Sequence, residues 1–181
     1  MTDPADRLYE RLLVLRCQTG DETAFAELVE RYGPRLRYFV RKMLGETDAE
    51  DILQDVWLDV YRGIARLADA AALPAWLYRI ARDRAYRLLR KRRPGQVSLD
   101  AAEGVGDAAE VRFSAEDAAR IHAALQRLEA EHREVLMLRF LEEMSYEEIA
   151  RVVGCPVGTV RSRLHYGKLA LRQLLAKENR P

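Results

Sequence analysis

Only two cysteines, Cys17 and Cys155, occur in 181 residues, and they lie far apart. That excludes a disulfide framework and a cysteine-based zinc set. The three histidines, His122, His132 and His165, have no ligand spacing to cysteine or to one another. There is no G-x-x-x-x-G-K-S/T loop, no H-E-x-x-H and no G-x-S-x-G, and the many carboxylates come without a nucleophile. No enzyme, metal or cofactor is therefore expected. No apolar run approaches membrane-spanning length, and the polar, acidic N-terminus is unlike a signal peptide, so a soluble cytoplasmic protein without a membrane segment is expected. The net charge of +1 does not mark a nucleic-acid binder. Only the distribution of charge can do that.

That distribution is uneven. Residues 1–94 hold 18 Lys/Arg against 15 Asp/Glu, residues 95–117 one against six, and residues 118–181 eleven against eight. Two basic blocks flank an acidic spacer. With no convincing strand and no repeat, the spacing predicts an all-α chain of two small helical domains, 1–94 and 116–181, joined by a flexible linker over 95–115.

In the first block a short helix carries Leu8, Leu12, Leu13 and Leu15. A second runs from about Asp21 to Leu44, with Gly33-Pro34 placed to bend it. A third starts at Thr47, where Thr47 and Glu50 suit a capping box, and runs to about Leu67. Ile52, Val56, Val60 and Ile64 turn inward; Asp48, Asp51, Asp55 and Asp59 share another face, with Gln54 nearby. After a loop over Ala68–Ala72, a fourth helix from Leu73 to Arg93 crowds Arg79, Arg82, Arg84, Arg87, Arg90, Lys91, Arg92 and Arg93 around Trp76, Tyr78 and Tyr86. Basic groups neutralise phosphates and aromatic faces accept unstacked bases, so this helix suits single-stranded nucleic acid. Each charged face, taken alone, also fits a solvated helix.

In the second block Ala118, Ile121, Leu125 and Leu128 form one apolar stripe. Val135, Leu136, Leu138, Phe140 and Leu141 are expected in the core of the next helix. Ser145 and Glu148 form a capping box; Gly154 suits a left-handed helix end, and Pro156 the first turn of the following helix. A short helix, a tight turn and a longer helix make a helix-turn-helix. On the second of its helices Val160, Leu164 and Leu171 face inward. Arg161, His165, Lys168 and Arg172 form a polar stripe about 16 Å long, suited to a major groove, with Ser162 beside the base edges.

DAEDILQDVWLDVYRGIARL followed by LPAWLYRIARDRAYRLLRKRRP resembles region two of bacterial sigma factors. EHREVLMLRFLEEMSYEEIARVVGCPVGTVRSRLHYGKLALRQLL resembles their region four. No region-three domain fits the linker, as in the extracytoplasmic-function group of the sigma-70 family. The resemblance implies a factor that binds core RNA polymerase and directs promoter-specific initiation. It implies that Asp48, Asp51, Gln54, Asp55 and Trp57 meet the β′ clamp helices. It implies that Leu67, Trp76, Arg79, Arg82, Asp83, Arg87 and Arg90 melt the minus-ten element, with a flipped base held by the loop from Leu67 to Pro74. It implies that Thr159, Arg161, Ser162, His165, Tyr166 and Lys168 read the minus-thirty-five element, that region four touches the β flap, and that an anti-sigma factor controls the protein. Leu67 stands where many members carry an aromatic residue, and Asp83 where many carry asparagine. A stand-alone helix-turn-helix repressor or activator would explain residues 145–175, but gives the acidic and basic helices of the first block no joint role.

Overall fold

The computed structural model describes residues 4–92 and 118–178. The expected linker and Arg93 lie outside the described residues. Residues 4–92 fall in one compact unit and residues 118–178 in another. Among the described residues all regular structure is helical.

The first unit contains α1 (Pro4–Gln18), α2 (Glu22–Leu44), α3 (Glu46–Gly63), two 3-10 turns (Ile64–Arg66 and Ala70–Ala72) and α4 (Leu73–Arg92). The Asp21 carboxylate starts α2 by accepting the Thr23 and Ala24 N–H groups at 2.9 and 3.0 Å. A further hydrogen bond from the Thr23 hydroxyl at 2.6 Å, with those from the Ala24 N–H and Arg16, holds its pKa well below the usual carboxylate range. Leu28, Tyr32, Leu36, Phe39 and Val40 recur at helical spacing and are buried. Val56 and Val60 of α3 and Leu77, Tyr78 and Ala81 of α4 complete the core. Each fully buried large side chain contributes about 1.5–3 kcal/mol. Pro34 does not interrupt α2; it is exposed, so the carbonyl left without a donor on that side can turn to water.

Two expectations fail here. α3 begins at Glu46, not Thr47, and has no side-chain cap. The Gly45 N–H closes α2 on the Arg41 carbonyl, while Gly45 itself, at φ 91°, is the N-cap of α3. One glycine thus reverses the chain directly, and Thr47 is already inside the helix. Tyr78 and Tyr86 are not available to bases either: they are 0 % and 7 % exposed. Tyr78 meets Phe39 edge-on at 5.3 Å, and Tyr86 lies beneath the Arg82 guanidinium at 4.4 Å.

The second unit contains α5 (Ala118–Gln126), α6 (Ala130–Phe140), α7 (Tyr146–Val153) and α8 (Val157–Glu178). The Ser145 hydroxyl accepts the Glu148 N–H at 3.2 Å, and the Glu148 carboxylate accepts the Ser145 N–H at 2.7 Å. Gly154 closes α7 at φ 70°, ψ 36°, in the left-handed region that costs glycine little. Val135, Leu138, Ile149, Val160 and Leu164 form the core. Phe140 and Leu141, expected inside, are 48 % and 44 % exposed. They fall where α6 ends, and border an apolar groove with Ile121, Leu136 and Leu171.

Candidate nucleic-acid interface

α3 and α4 meet through charge as well as apolar packing. Arg84 donates to both Asp59 carboxylate oxygens, at 2.6 and 2.7 Å, and to Asp55 at 2.9 Å. Arg92 pairs with Asp48. Asp48 and Asp55, expected to await a basic partner, are therefore already engaged by α4, whereas Asp51 and Gln54 are exposed. Trp57 is half-buried, edge-on to Phe25 at 6.2 Å. Leu58 and Tyr61, outside the expected face, are 50 % and 60 % exposed and extend the Asp51–Gln54 face at three- and four-residue spacing. That spacing was the available signal.

On α4, Arg79, Asp83, Arg87 and Arg90 form one exposed stripe. Their spacing gives it a length of about 16 Å. Arg82 is half-buried over Tyr86 and lies 3.7 Å from Asp83, so the one acid in the stripe has a cation beside it. Trp76 is half-buried against the end of α3, where a Cβ on Gly63 would lie 2.9 Å from its ring. Leu67 is half-buried, and its carbonyl is held by Gln18. Between the buried anchors Ile64 and Leu73, Ala65, Arg66, Ala68, Asp69 and Ala71 are exposed.

On α8, Arg161 is exposed and Tyr166 is 43 % exposed. The Arg161 guanidinium lies 5.9 Å from the Tyr146 ring centre, and that of Arg139 lies 5.4 Å from it. Two cations thus gather at the start of α7, within cation–π range of one ring. His165 is half-buried beside Tyr166, and Thr159 is half-buried. Ser162 departs from expectation: it is 1 % exposed, and its hydroxyl donates to the Thr159 carbonyl at 3.0 Å. Helical geometry turns it inward between Arg161 and Arg163. Lys168 also leaves the expected stripe, lining the apolar groove with Leu171. A long apolar stem makes that compatible with its charge.

Beside these residues on α8 lies Arg163. It is nearly buried, 2.9 Å from Glu131 and 3.7 Å from Glu134, which has no solvent exposure at all. Gly167 is also buried; a Cβ there would lie 3.2 Å from Leu136 and 3.3 Å from His132. Burial in that contact holds the His132 pKa below the usual histidine value.

Two family models match this chain: Sigma-70 region 2 over residues 28–94 and Sigma-70 region 4 over residues 118–171. The ECF RNA polymerase sigma-E factor of Escherichia coli K12 is 32 % identical over 92 % of this chain and 94 % of its own length. The chain belongs to the sigma-70 family, in its extracytoplasmic-function group. The RNA polymerase sigma-H factor of Pseudomonas aeruginosa is 34 % identical to this sigma factor, over 92 % and 93 % of the two chains. Among solved structures, CnrH in complex with the cytosolic domain of CnrY superposes with a TM-score of 0.71 at 27 % identity, covering 94 % and 99 % of the chains. RpoE of Bartonella quintana, bound to the anti-sigma factor NepR, has a TM-score of 0.65 at 27 % identity, covering 86 % and 98 %. Among the described residues of this sigma factor, no helix is long and apolar enough to cross a membrane.

Proposed function

We propose that this sigma factor works in the cytoplasm, binds core RNA polymerase through the exposed face of α3, and opens and anchors a promoter at two separate points. The observation that carries this is the two matched regions in order on one chain, each a helical unit with exposed basic side chains. Asp51 and Gln54, flanked by Leu58 and Tyr61, offer the β′ clamp helices a polar edge beside apolar area, the composition of a binding hot spot with its rim. The stripe Arg79, Arg87 and Arg90 tracks the phosphates of the separated minus-ten strand. A non-template base flips into the loop from Leu67 to Pro74, backed by Trp76; the few kcal/mol lost in unstacking return through contacts with the base. Arg161, His165 and Tyr166 on α8 read the minus-thirty-five duplex, and the groove bordered by Phe140 and Leu141 receives the β flap. The two solved relatives are bound to CnrY and to an anti-sigma factor, which supports control of this chain by a partner of that kind.

Run-off transcription from a genomic promoter library with purified core polymerase tests the reading. Absence of both core binding and any transcript would sink it. Asp51→Arg combined with Leu58→Asp is expected to weaken core affinity at least about tenfold, or about 1.4 kcal/mol, with helicity unchanged. Asp55 is unsuitable for this test, because reversing its charge would set two cations together at Arg84. On duplex minus-thirty-five DNA, Arg161→Ala is expected to cost about 1–3 kcal/mol at one base pair. An equal loss on every sequence would make Arg161 a phosphate anchor.

A further inference from the structure

The loop between α3 and α4 is held from outside itself. Gln18, the last residue of α1, donates from one side-chain nitrogen to the Ile64 carbonyl at 3.1 Å and to the Leu67 carbonyl at 2.9 Å. These carbonyls open and close the first 3-10 turn, and the Leu67 N–H donates to the Ile64 carbonyl at 3.1 Å. Both partners of Gln18 are acceptors, so its amide nitrogen and not its oxygen faces the loop, and both amide protons are used. Further along, the Asp69 carboxylate accepts the Ala71 N–H at 2.9 Å and starts the second turn. α1 packs against both turns. The exposed backbone between Ile64 and Leu73 thus has few ways to move once Gln18 is in place.

We infer that Gln18 is a positioning residue for base capture: by fixing the Ile64 and Leu67 carbonyls it sets the loop in the shape that receives one flipped base. This rests on the proposed role of the loop. Holding a site before its ligand arrives removes an ordering cost at binding, and a fixed outline is what allows one base to be told from another. Gln18 touches no nucleic acid itself. Its effect passes through the Leu67 backbone, so it appears as lost discrimination rather than as lost charge attraction.

The test uses holoenzyme and a promoter that the wild type transcribes, made as a duplex with an unpaired minus-ten segment. Each of the four bases is placed in turn at each unpaired non-template position. Gln18→Met keeps the length of the side chain without a donor, and Gln18→Glu keeps its shape and polarity but sets a carboxylate against two carbonyls. Both are expected to lose about tenfold of the preference for the captured base, the combined worth of two hydrogen bonds. Core affinity and binding to a duplex minus-thirty-five fragment are expected to stay at wild-type levels. If either folded variant keeps the full preference and only melts at a lower temperature, Gln18 is a structural clasp and the inference is overturned. If wild-type holoenzyme itself shows no base preference at any unpaired position, base capture by the loop fails, and the role of Gln18 fails with it.

Discussion

Replacing Arg163 by methionine is expected to lower the stability of the helix-turn-helix unit by about 3 kcal/mol, although Arg163 lies in sequence among the residues proposed to read DNA. Its guanidinium reaches Glu131 and Glu134, and Glu134 has no solvent exposure. Taking the cation away leaves a carboxylate that water cannot reach to be stabilised by what remains around it. Denaturant unfolding of the full chain, followed by helical signal, reads the loss as a lower midpoint. The double variant Arg163→Met with Glu134→Leu is the sharper arm. An apolar pair of similar volume often replaces a buried ion pair at little cost, so the double variant is expected to recover most of the stability. A single variant that loses less than about 1 kcal/mol would mean that the pair behaves like an exposed one.

Gly63→Val is expected to reduce promoter opening about tenfold while sparing the closed complex. At φ −97° and ψ −23° the Gly63 backbone suits any residue, so the glycine is there for space and not for conformation. A Cβ would lie 2.9 Å from Trp76, and the indole is too stiff to fold aside. Either α3 and α4 part, or the ring moves, and with it the backing proposed for the base-capture loop. Overpacking of this kind costs about 1–3 kcal/mol. Permanganate reactivity of unpaired thymines reports opening, and a footprint in the cold reports the closed complex. Equal damage to both would show that Trp76 is a packing residue and nothing more.

Features whose deciding chemistry is local are legible in the sequence. Ser145 and Glu148 cap each other across three residues, Gly154 ends its helix by its own backbone freedom, and both were legible before any fold was known. The Thr47 expectation had the same local form and failed, because Gly45 had already turned the chain and begun the helix. Tyr86 looked like a stacking platform, but which face of α4 turns inward depends on α2 and α3, and Arg82 covers the ring. The acidic stripe of α3 was visible as a stripe. That Arg84 and Arg92 had taken three of its members was not, since those contacts span 25 to 44 residues. Gln18 gave no signal at all: a single glutamine at a helix end matters only because a loop 46 residues away folds against it.

The seat of α8 also bears on how such a protein changes its promoter over evolutionary time. Gly167 lets the helix lie close against α6, and Arg163 ties it there one turn earlier. A rotation of even one residue would drive a side chain into Leu136 and pull Arg163 from its carboxylates. New promoter preferences therefore cannot arise by re-aiming the helix. With α8 reading the minus-thirty-five element as proposed, they come from exchanging the few outward side chains, Arg161 and Tyr166 foremost, on a support that stays still. Lineages that diverge in regulon are expected to vary at those positions while the pinned ones drift slowly.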